Sequence, residues 1–165
     1  MVQTNPLVGD IPGNTKKLLA SAKQGIAQYS ADILVFPELV LTAYPPEDLL
    51  LRPSLDKRIA TGLEQIQNAK LPAYLVVGYP GRVGGKLYNM LGVFYAGECL
   101  TTYRKQCLPN YQVFDEKRYF SAGNAPCVLE INNIPVAFTI CEDLWEKRPM
   151  EQAKKAGAKL MININ

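Results

Sequence analysis

The pattern of hydrophobic and polar positions predicts helices alternating with buried strands. Apolar residues recur with helical spacing from Asn14 onward and share one face: Leu18, Leu19, Ala22 and Ile26. Residues 33–36 form a continuous apolar run that Pro37 stops, which is typical of a fully buried strand. The same criteria predict a second helix at residues 54–69 and a second buried strand at residues 74–79.

The second half of the chain favours strand pairs joined by short turns of glycine or asparagine. We predict further strands, in chain order, at residues 87–96, 98–104, 127–131, 134–140 and 159–164. A third helix is predicted at residues 149–156. Residues 41–53 and 105–124 are predicted to be connections. The second is unusually long for a compact domain, so we expect it to have a function. The pattern as a whole predicts an α/β fold with helices packed on a mixed sheet.

Composition and charge narrow the class of protein. The 165 residues are 48% hydrophobic and 20% charged, as in ordinary globular domains. The 18 basic and 15 acidic residues leave a net charge of +3, and they are scattered, so neither a nucleic acid nor a membrane surface is an expected partner. No apolar run approaches the ~18 residues of a membrane span, and no secretory segment is evident. We therefore expect a cytoplasmic protein.

The absence of histidine excludes several kinds of site. A Ser-His-Asp triad, a Cys-His dyad and a histidine-ligated zinc ion are all impossible. Acid–base chemistry near neutral pH would need Glu, Asp, Lys, Tyr or Cys with shifted pKa values. No pair among the four cysteines has CxxC spacing, so we expect no metal site, and no glycine-rich phosphate-binding motif is present.

Three potentially reactive residues each follow a predicted strand: Glu38, Lys105 and Cys141. Ligands collect at the carboxyl ends of strands in open α/β sheets, so the three side chains could converge there. Glu38 could accept the thiol proton of Cys141, and Lys105 could stabilise the anion that forms when the sulfur attacks a carbonyl group. This arrangement would carry out acyl transfer without histidine.

Spacing alone leaves other interpretations open. A cysteine at a strand end is more often a small buried apolar residue than a nucleophile. A glutamate after a strand is more often a helix cap or a solvated loop residue. A lysine beside Arg104 is more often part of a charged, hydrated edge. Cys99, Cys107 and Cys127 are predicted to be structural.

The residue identities of the three motifs are more informative than their spacing. Phe36-Pro37-Glu38, Tyr103-Arg104-Lys105 and Cys141-Glu142-Asp143 resemble the three signatures of the nitrilase superfamily, in the same chain order. The resemblance implies a nitrilase-type α-β-β-α sandwich. It also implies hydrolysis or transfer of carbon–nitrogen bonds through a Glu-Lys-Cys triad.

Three longer segments resemble one branch of that superfamily, the glutaminase domain of glutamine-dependent NAD synthetases. They are residues 5–10 (NPLVGD), 41–49 (LTAYPPEDL) and 108–120 (LPNYQVFDEKRYF). The resemblance implies hydrolysis of the glutamine side-chain amide, which would supply ammonia for NAD synthesis from deamido-NAD and ATP.

The resemblance also implies roles for individual catalytic residues. Cys141 would attack the amide of glutamine and form a glutamyl thioester. Glu38 would accept the thiol proton, pass it to departing ammonia, and then activate water. Lys105 would stabilise the oxyanion together with a main-chain N–H, expected to be that of Glu142.

Four further residues match substrate-binding or supporting positions of the family. Tyr111 matches a tyrosine that contacts glutamine, and Glu116 matches a second carboxylate that would orient Lys105. Tyr44 and Trp145 match aromatic pocket positions. Both aromatic residues could instead be core residues that hold loops in place.

The resemblance further implies that residues 1–165 are an incomplete domain. The family's first strand would precede Gln3, its domain would continue past Asn165, and its synthetase domain carries a Ser-Gly-Gly-x-Asp-Ser loop that this chain lacks. We expect no cofactor on this chain. ATP with Mg and deamido-NAD are implied for the synthetase domain of the same parent chain, which we expect to be a homo-oligomer.

Two other functions stay open at this level. One is a stand-alone amidase or carbamoylase of the nitrilase superfamily. The other is an inactive fragment that serves only in assembly, for which the strand predicted at residues 159–164 would offer an unpaired edge.

Overall fold

The computed structural model describes residues 1–165, and its elements follow the predicted order. The three α-helices are α1 (Ile11–Tyr29), α2 (Pro53–Asn68) and α3 (Lys147–Lys155). The seven strands are β1 (Ile33–Val35), β2 (Tyr74–Val83), β3 (Lys86–Tyr95), β4 (Glu98–Arg104), β5 (Val128–Ile131), β6 (Ile134–Ile140) and β7 (Leu160–Ile164). Short 3₁₀-helices cover Glu47–Leu51, Glu116–Arg118 and Cys141–Trp145. None of the helices combines the length and apolar character needed to cross a bilayer.

Two predicted boundaries were wrong by more than two residues, both next to a proline. Helix α1 begins at Ile11 and not at Asn14, because the Asp10 carboxylate caps it and a proline is tolerated in the first helical turn. Strand β2 continues through Pro80 to Val83. Its neighbour β1 ends opposite Val76, so Pro80 needs no N–H partner on that side.

The strands form two sheets, as the nitrilase-type sandwich requires, and not the one mixed sheet that hydrophobic periodicity alone predicts. The first has the order β1-β2-β3-β4, with β1 parallel to β2 and the other pairs antiparallel. The second has the order β5-β6-β7, with β5 antiparallel and β7 parallel to β6. The connection of residues 105–124 separates the sheets in sequence, and hydrophobic periodicity cannot tell whether such a loop returns to the same sheet.

Helices α1 and α2 pack on one face of the first sheet, and the second sheet packs on its other face. Residues on one face of β2, such as Leu75 and Val77, pack in a core cluster with Leu18 of α1 and Ile59 of α2. Val76, on the opposite face, belongs to a second cluster that joins the two sheets. Other members of this second cluster are Leu91, Val93, Val136, Phe138, Ile140 and Ile164. The first sheet is therefore buried on both faces, which explains its nearly continuous apolar strands.

Asp143 ties together the strand ends that carry Lys105 and Cys141. Its carboxylate is fully buried and has no cationic partner. Four groups donate to its two oxygens at 2.7–3.2 Å: the Tyr103 hydroxyl and the main-chain N–H groups of Gln106, Cys107 and Ile140. Two of these donors directly follow Lys105 and one directly precedes Cys141. Asp143 thus fixes the end of β4 against the end of β6.

We expect Asp143→Ala to destabilise the chain by at least about 3 kcal/mol, because three buried main-chain N–H groups lose their acceptor. The matched control is Asp56→Ala, which removes a partly exposed carboxylate paired with Arg82 and should cost less than about 1 kcal/mol. Urea denaturation followed by circular dichroism measures both. Equal unfolding midpoints for the two variants would show that Asp143 does not join the strand ends.

Candidate active site

A buried lysine lies between two buried carboxylates at the centre of the candidate site. Lys105 follows β4, and its side chain is fully buried. Its Nζ donates to Oε1 of Glu38 at 2.7 Å and to Oε1 of Glu116 at 2.8 Å. Both carboxylates are buried as well. The structure therefore brings together three of the predicted residues in one charged cluster.

Close backbone approaches set the positions of Glu38 and Lys105. Glu38 lies in the turn after β1, which crosses β2 at Gly78. A Cβ atom on Gly78 would lie 2.5 Å from the Leu39 nitrogen and 2.8 Å from the Pro37 carbonyl oxygen, so only glycine fits there. The long connection packs back on the end of β4, where Gly123 donates to the Lys105 carbonyl at 2.7 Å.

The charges of the cluster depend on one another. Burial disfavours the charged form of Lys105, but Glu38 and Glu116 more than offset it, so the pKa of its ammonium lies above the ordinary value. Burial raises the pKa of the Glu116 carboxyl, and Glu38 adds to this effect while Lys105 opposes it. Lys105 therefore stays protonated near neutral pH and is the only cation that holds the two carboxylates.

Cys141 stands at the turn from β6 into a short 3₁₀-helix. Its φ is +48°, in the left-handed region that residues with a side chain rarely adopt. Burial and then Glu38 raise the pKa of its thiol to about 11, while Lys105 and the Glu142 main-chain N–H act in the opposite direction. The half-buried thiol is thus protonated at neutral pH, and it needs a base to become a nucleophile.

Glu38 and Cys141 line one cavity of about 420 Å³. Tyr44 and Phe114 are among its other lining residues. A thiol, a carboxylate that could accept its proton, and aromatic walls therefore surround one space that could hold a small substrate. Lys105 does not line this cavity but bonds Glu38, which does.

The remaining predicted site residues lie at different distances from this cluster. The Tyr44 hydroxyl donates to Oε1 of Glu116 at 3.1 Å, and burial together with Glu116 raises its pKa, so it stays a donor. The Tyr111 hydroxyl donates to Oε2 of Glu142 at 3.3 Å. Trp145 is 74% exposed and is not among the residues that line the cavity. Its assignment to the pocket stays a prediction.

Sequence reasoning missed Asn89 and assigned no role to Asp143. Asn89 is fully buried, and its Nδ2 donates to Oε1 of Glu38 at 2.6 Å. The available signal was a single amide inside an otherwise apolar strand. A buried polar side chain in such a run needs a partner, which marks it as a candidate for the site.

Curated relatives match the chain over its full length. A glutamine-dependent NAD(+) synthetase of Xylella fastidiosa is 40% identical over 167 residues, which is 100% of this chain and 31% of the relative. A protein with the same description from Aquifex aeolicus is 42% identical over 170 residues, or 29% of its length. The chain thus spans about 30% of the length of these relatives.

Solved structures agree with the fold. The glutamine-dependent NAD+ synthetase of Acinetobacter baumannii, in complex with ADP, superposes with a TM-score of 0.96 at 37% identity, covering 100% of this chain and 31% of that one. A mutant of the Nesterenkonia AN1 amidase from the nitrilase superfamily gives a TM-score of 0.87 at 21% identity, covering 98% and 62%. The second match shows the fold alone and confirms the predicted nitrilase-type architecture. The sequence profile of the carbon-nitrogen hydrolase family matches residues 1–165, and the chain belongs to this family.

Proposed function

We propose that this chain hydrolyses the side-chain amide of L-glutamine through a thioester on Cys141. The observation that carries the proposal is that Cys141 and Glu38 line one cavity while Lys105 bonds Glu38 directly. The choice of glutamine rests on the relatives at 40% and 42% identity, which are described as glutamine-dependent. The family supports cleavage of a carbon–nitrogen bond.

Glu38 would act as the general base for the first step. With a thiol pKa of about 11, Cys141 cannot supply much thiolate at pH 7, so proton transfer to Glu38 must accompany attack on the amide carbon. A sulfur–carbon bond forms and the carbonyl oxygen becomes an oxyanion. Glu38 then returns the proton to the leaving nitrogen, and ammonia departs. Water, activated by the same carboxylate, hydrolyses the thioester to glutamate.

Lys105 would stabilise the oxyanion with the donor it has left. An ammonium has three N–H donors, and Glu38 and Glu116 occupy two of them. The third, with the main-chain N–H of Glu142, would bind the developing charge. Glu116 and Tyr44 would keep the lysine in place, while Tyr111 and Glu142, which bond each other, would contact the substrate. Trp145 would add an aromatic contact.

We further propose that residues 1–165 are part of the glutaminase domain of a longer enzyme. The length ratio to the relatives supports this proposal. Ammonia would pass to a synthetase domain of the same parent chain, where deamido-NAD and ATP with Mg would be used, and the parent would be a homo-oligomer. The four free cysteines fit a reducing compartment such as the cytoplasm.

Glutamine turnover tests the proposed function directly. The wild-type chain should release glutamate and ammonia from L-glutamine, and it should hydrolyse asparagine, acetamide and propionamide more slowly. The Cys141→Ala variant should release neither product, because no other group can form the thioester. Both products can be quantified by coupled enzymatic assays.

The same amide substrates distinguish glutamine hydrolysis from the two alternative functions, a stand-alone amidase and an inactive fragment. Faster hydrolysis of a simple amide than of glutamine would favour a stand-alone amidase. Equal product release by wild type and Cys141→Ala would eliminate the thioester mechanism. If a correctly folded wild-type chain hydrolyses none of these amides, the proposed activity of this chain is wrong.

Loss of the lysine should slow the chemical step strongly. We expect Lys105→Ala to lower kcat by a factor of roughly 10²–10³, equivalent to about 3–4 kcal/mol, as when one oxyanion donor is removed. The exposed Lys86 provides the control, because Lys86→Ala should leave kcat unchanged. Circular dichroism must first show that Lys105→Ala is folded, since its two buried carboxylates lose their cation. Wild-type turnover by a folded Lys105→Ala variant would contradict the assigned role.

A further inference from the structure

Asn89 is the one uncharged side chain that reaches both carboxylates of the cluster. It lies on β3 with no exposed surface. Its Nδ2 donates to Oε1 of Glu38 at 2.6 Å and makes a longer contact of 3.5 Å with Oε2 of Glu116. The short bond is charge-assisted if the carboxylate is ionised, which makes it stronger than an amide–amide bond.

The same residue also positions the backbone of Lys105. The Lys105 main-chain N–H donates to the Asn89 carbonyl oxygen at 2.9 Å. Asn89 therefore contacts the lysine through its main chain and the carboxylates through its side chain. A shift of β3 would move the base and the cation together.

Burial of this amide is not explained by packing. Its Oδ1 atom is buried without a hydrogen-bond partner in the protein. A leucine would fill a similar volume without leaving a polar atom unpaired, and residues around it on β3 are apolar. The benefit of an asparagine must therefore come from its Nδ2 donor.

The two oxygens of Glu38 are not equivalent. Oε1 accepts hydrogen bonds from both Lys105 and Asn89, whereas no protein group donates to Oε2. A proton added to Oε1 would displace one of these donors, but a proton added to Oε2 displaces none. The carboxylate also lines the cavity that holds Cys141.

We propose that Asn89 is a positioning residue that, with Lys105, holds one oxygen of Glu38 and leaves the other as the oxygen that accepts the Cys141 proton. This inference rests on the proposed role of Glu38 as the base. The transfer is balanced, because the sulfur–hydrogen bond breaks as the oxygen–hydrogen bond forms and the freed electron pair makes the sulfur–carbon bond.

Several charged or titratable groups surround Glu38 besides Asn89. Lys105 and Glu116 share its hydrogen-bond network, while Tyr44 and Cys141 line the same cavity. A hydrogen bond from Asn89 favours the ionised carboxylate over the protonated one. Removing that donor should therefore move the acid limb of Cys141 reactivity to higher pH.

The test follows the pH dependence of Cys141 alkylation, which needs no turnover of glutamine. Iodoacetamide is the probe, and peptide mass spectrometry gives the rate of modification at Cys141 between about pH 4 and pH 9. The wild-type rate should rise with pH along an acid limb to a plateau, at which base-assisted attack by the thiol no longer depends on pH. Glu38→Gln should lack the plateau, and its rate should keep rising over the whole range as free thiolate forms, because the thiol pKa of about 11 lies above that range. Asn89→Asp replaces the donor with a like charge at nearly constant volume, so its acid limb should move upward by about one pH unit or more.

A second pair of variants separates this effect from loss of stability. Asn89→Ala removes the donor without adding charge, and its limb should move upward by less than that of Asn89→Asp. Asn14→Asp also buries a carboxylate in place of an asparagine that bonds the Leu7 and Leu41 carbonyls, outside the charged cluster. It should lower the unfolding midpoint but leave the acid limb in place.

The outcomes distinguish this inference from the proposed function. Unshifted acid limbs in both folded Asn89 variants, with the plateau abolished in Glu38→Gln, would overturn the role of Asn89 alone. A plateau that survives in Glu38→Gln, or is absent from the wild type, would overturn the role of Glu38 and with it this inference. Failure of glutamine turnover with the expected alkylation profile would contradict only the choice of substrate.

Discussion

The ammonium of Lys105, buried between two carboxylates, is the interaction on which the site depends. Removing a charge from water costs several kcal/mol unless partners replace the solvent, so the fold must bring those partners to one point. Glu38 comes from the end of β1, Glu116 from a 3₁₀-helix in the long connection, and Asn89 from β3. Because the partners are far apart in sequence, the cluster can form only when the first sheet and its connections are complete.

The nucleophile is attached to this cluster through the second sheet. Cys141 directly follows β6, and Asp143 joins that strand end to the end of β4 through four hydrogen bonds. The positive φ of Cys141 is a strained conformation that the surrounding bonds maintain. The two sheets thus have separate parts in the proposed chemistry, since one holds the base and cation and the other presents the thiol.

Local sequence was enough to predict the strand ends but not the contacts between them. Glu38, Lys105 and Cys141 were identified because each follows a predicted strand and belongs to a family-like motif. The division into two sheets was implied by the family resemblance and not by periodicity, which describes one element at a time and says nothing of where residues 105–124 lead. Asn89 and Asp143 act mainly through partners 27–51 residues away, so their roles become visible only in three dimensions.

Covalent labelling with 6-diazo-5-oxo-L-norleucine, a glutamine-like electrophile, tests the central claim most directly. Intact mass should show one adduct on the wild-type chain, at Cys141, and none on Cys141→Ala. L-glutamine should protect the wild type, because substrate and label would occupy the same cavity. Labelling of Cys141→Ala at the wild-type rate, or no labelling of a folded wild-type chain whose Cys141 still reacts with iodoacetamide, would contradict a glutamine site at this cysteine.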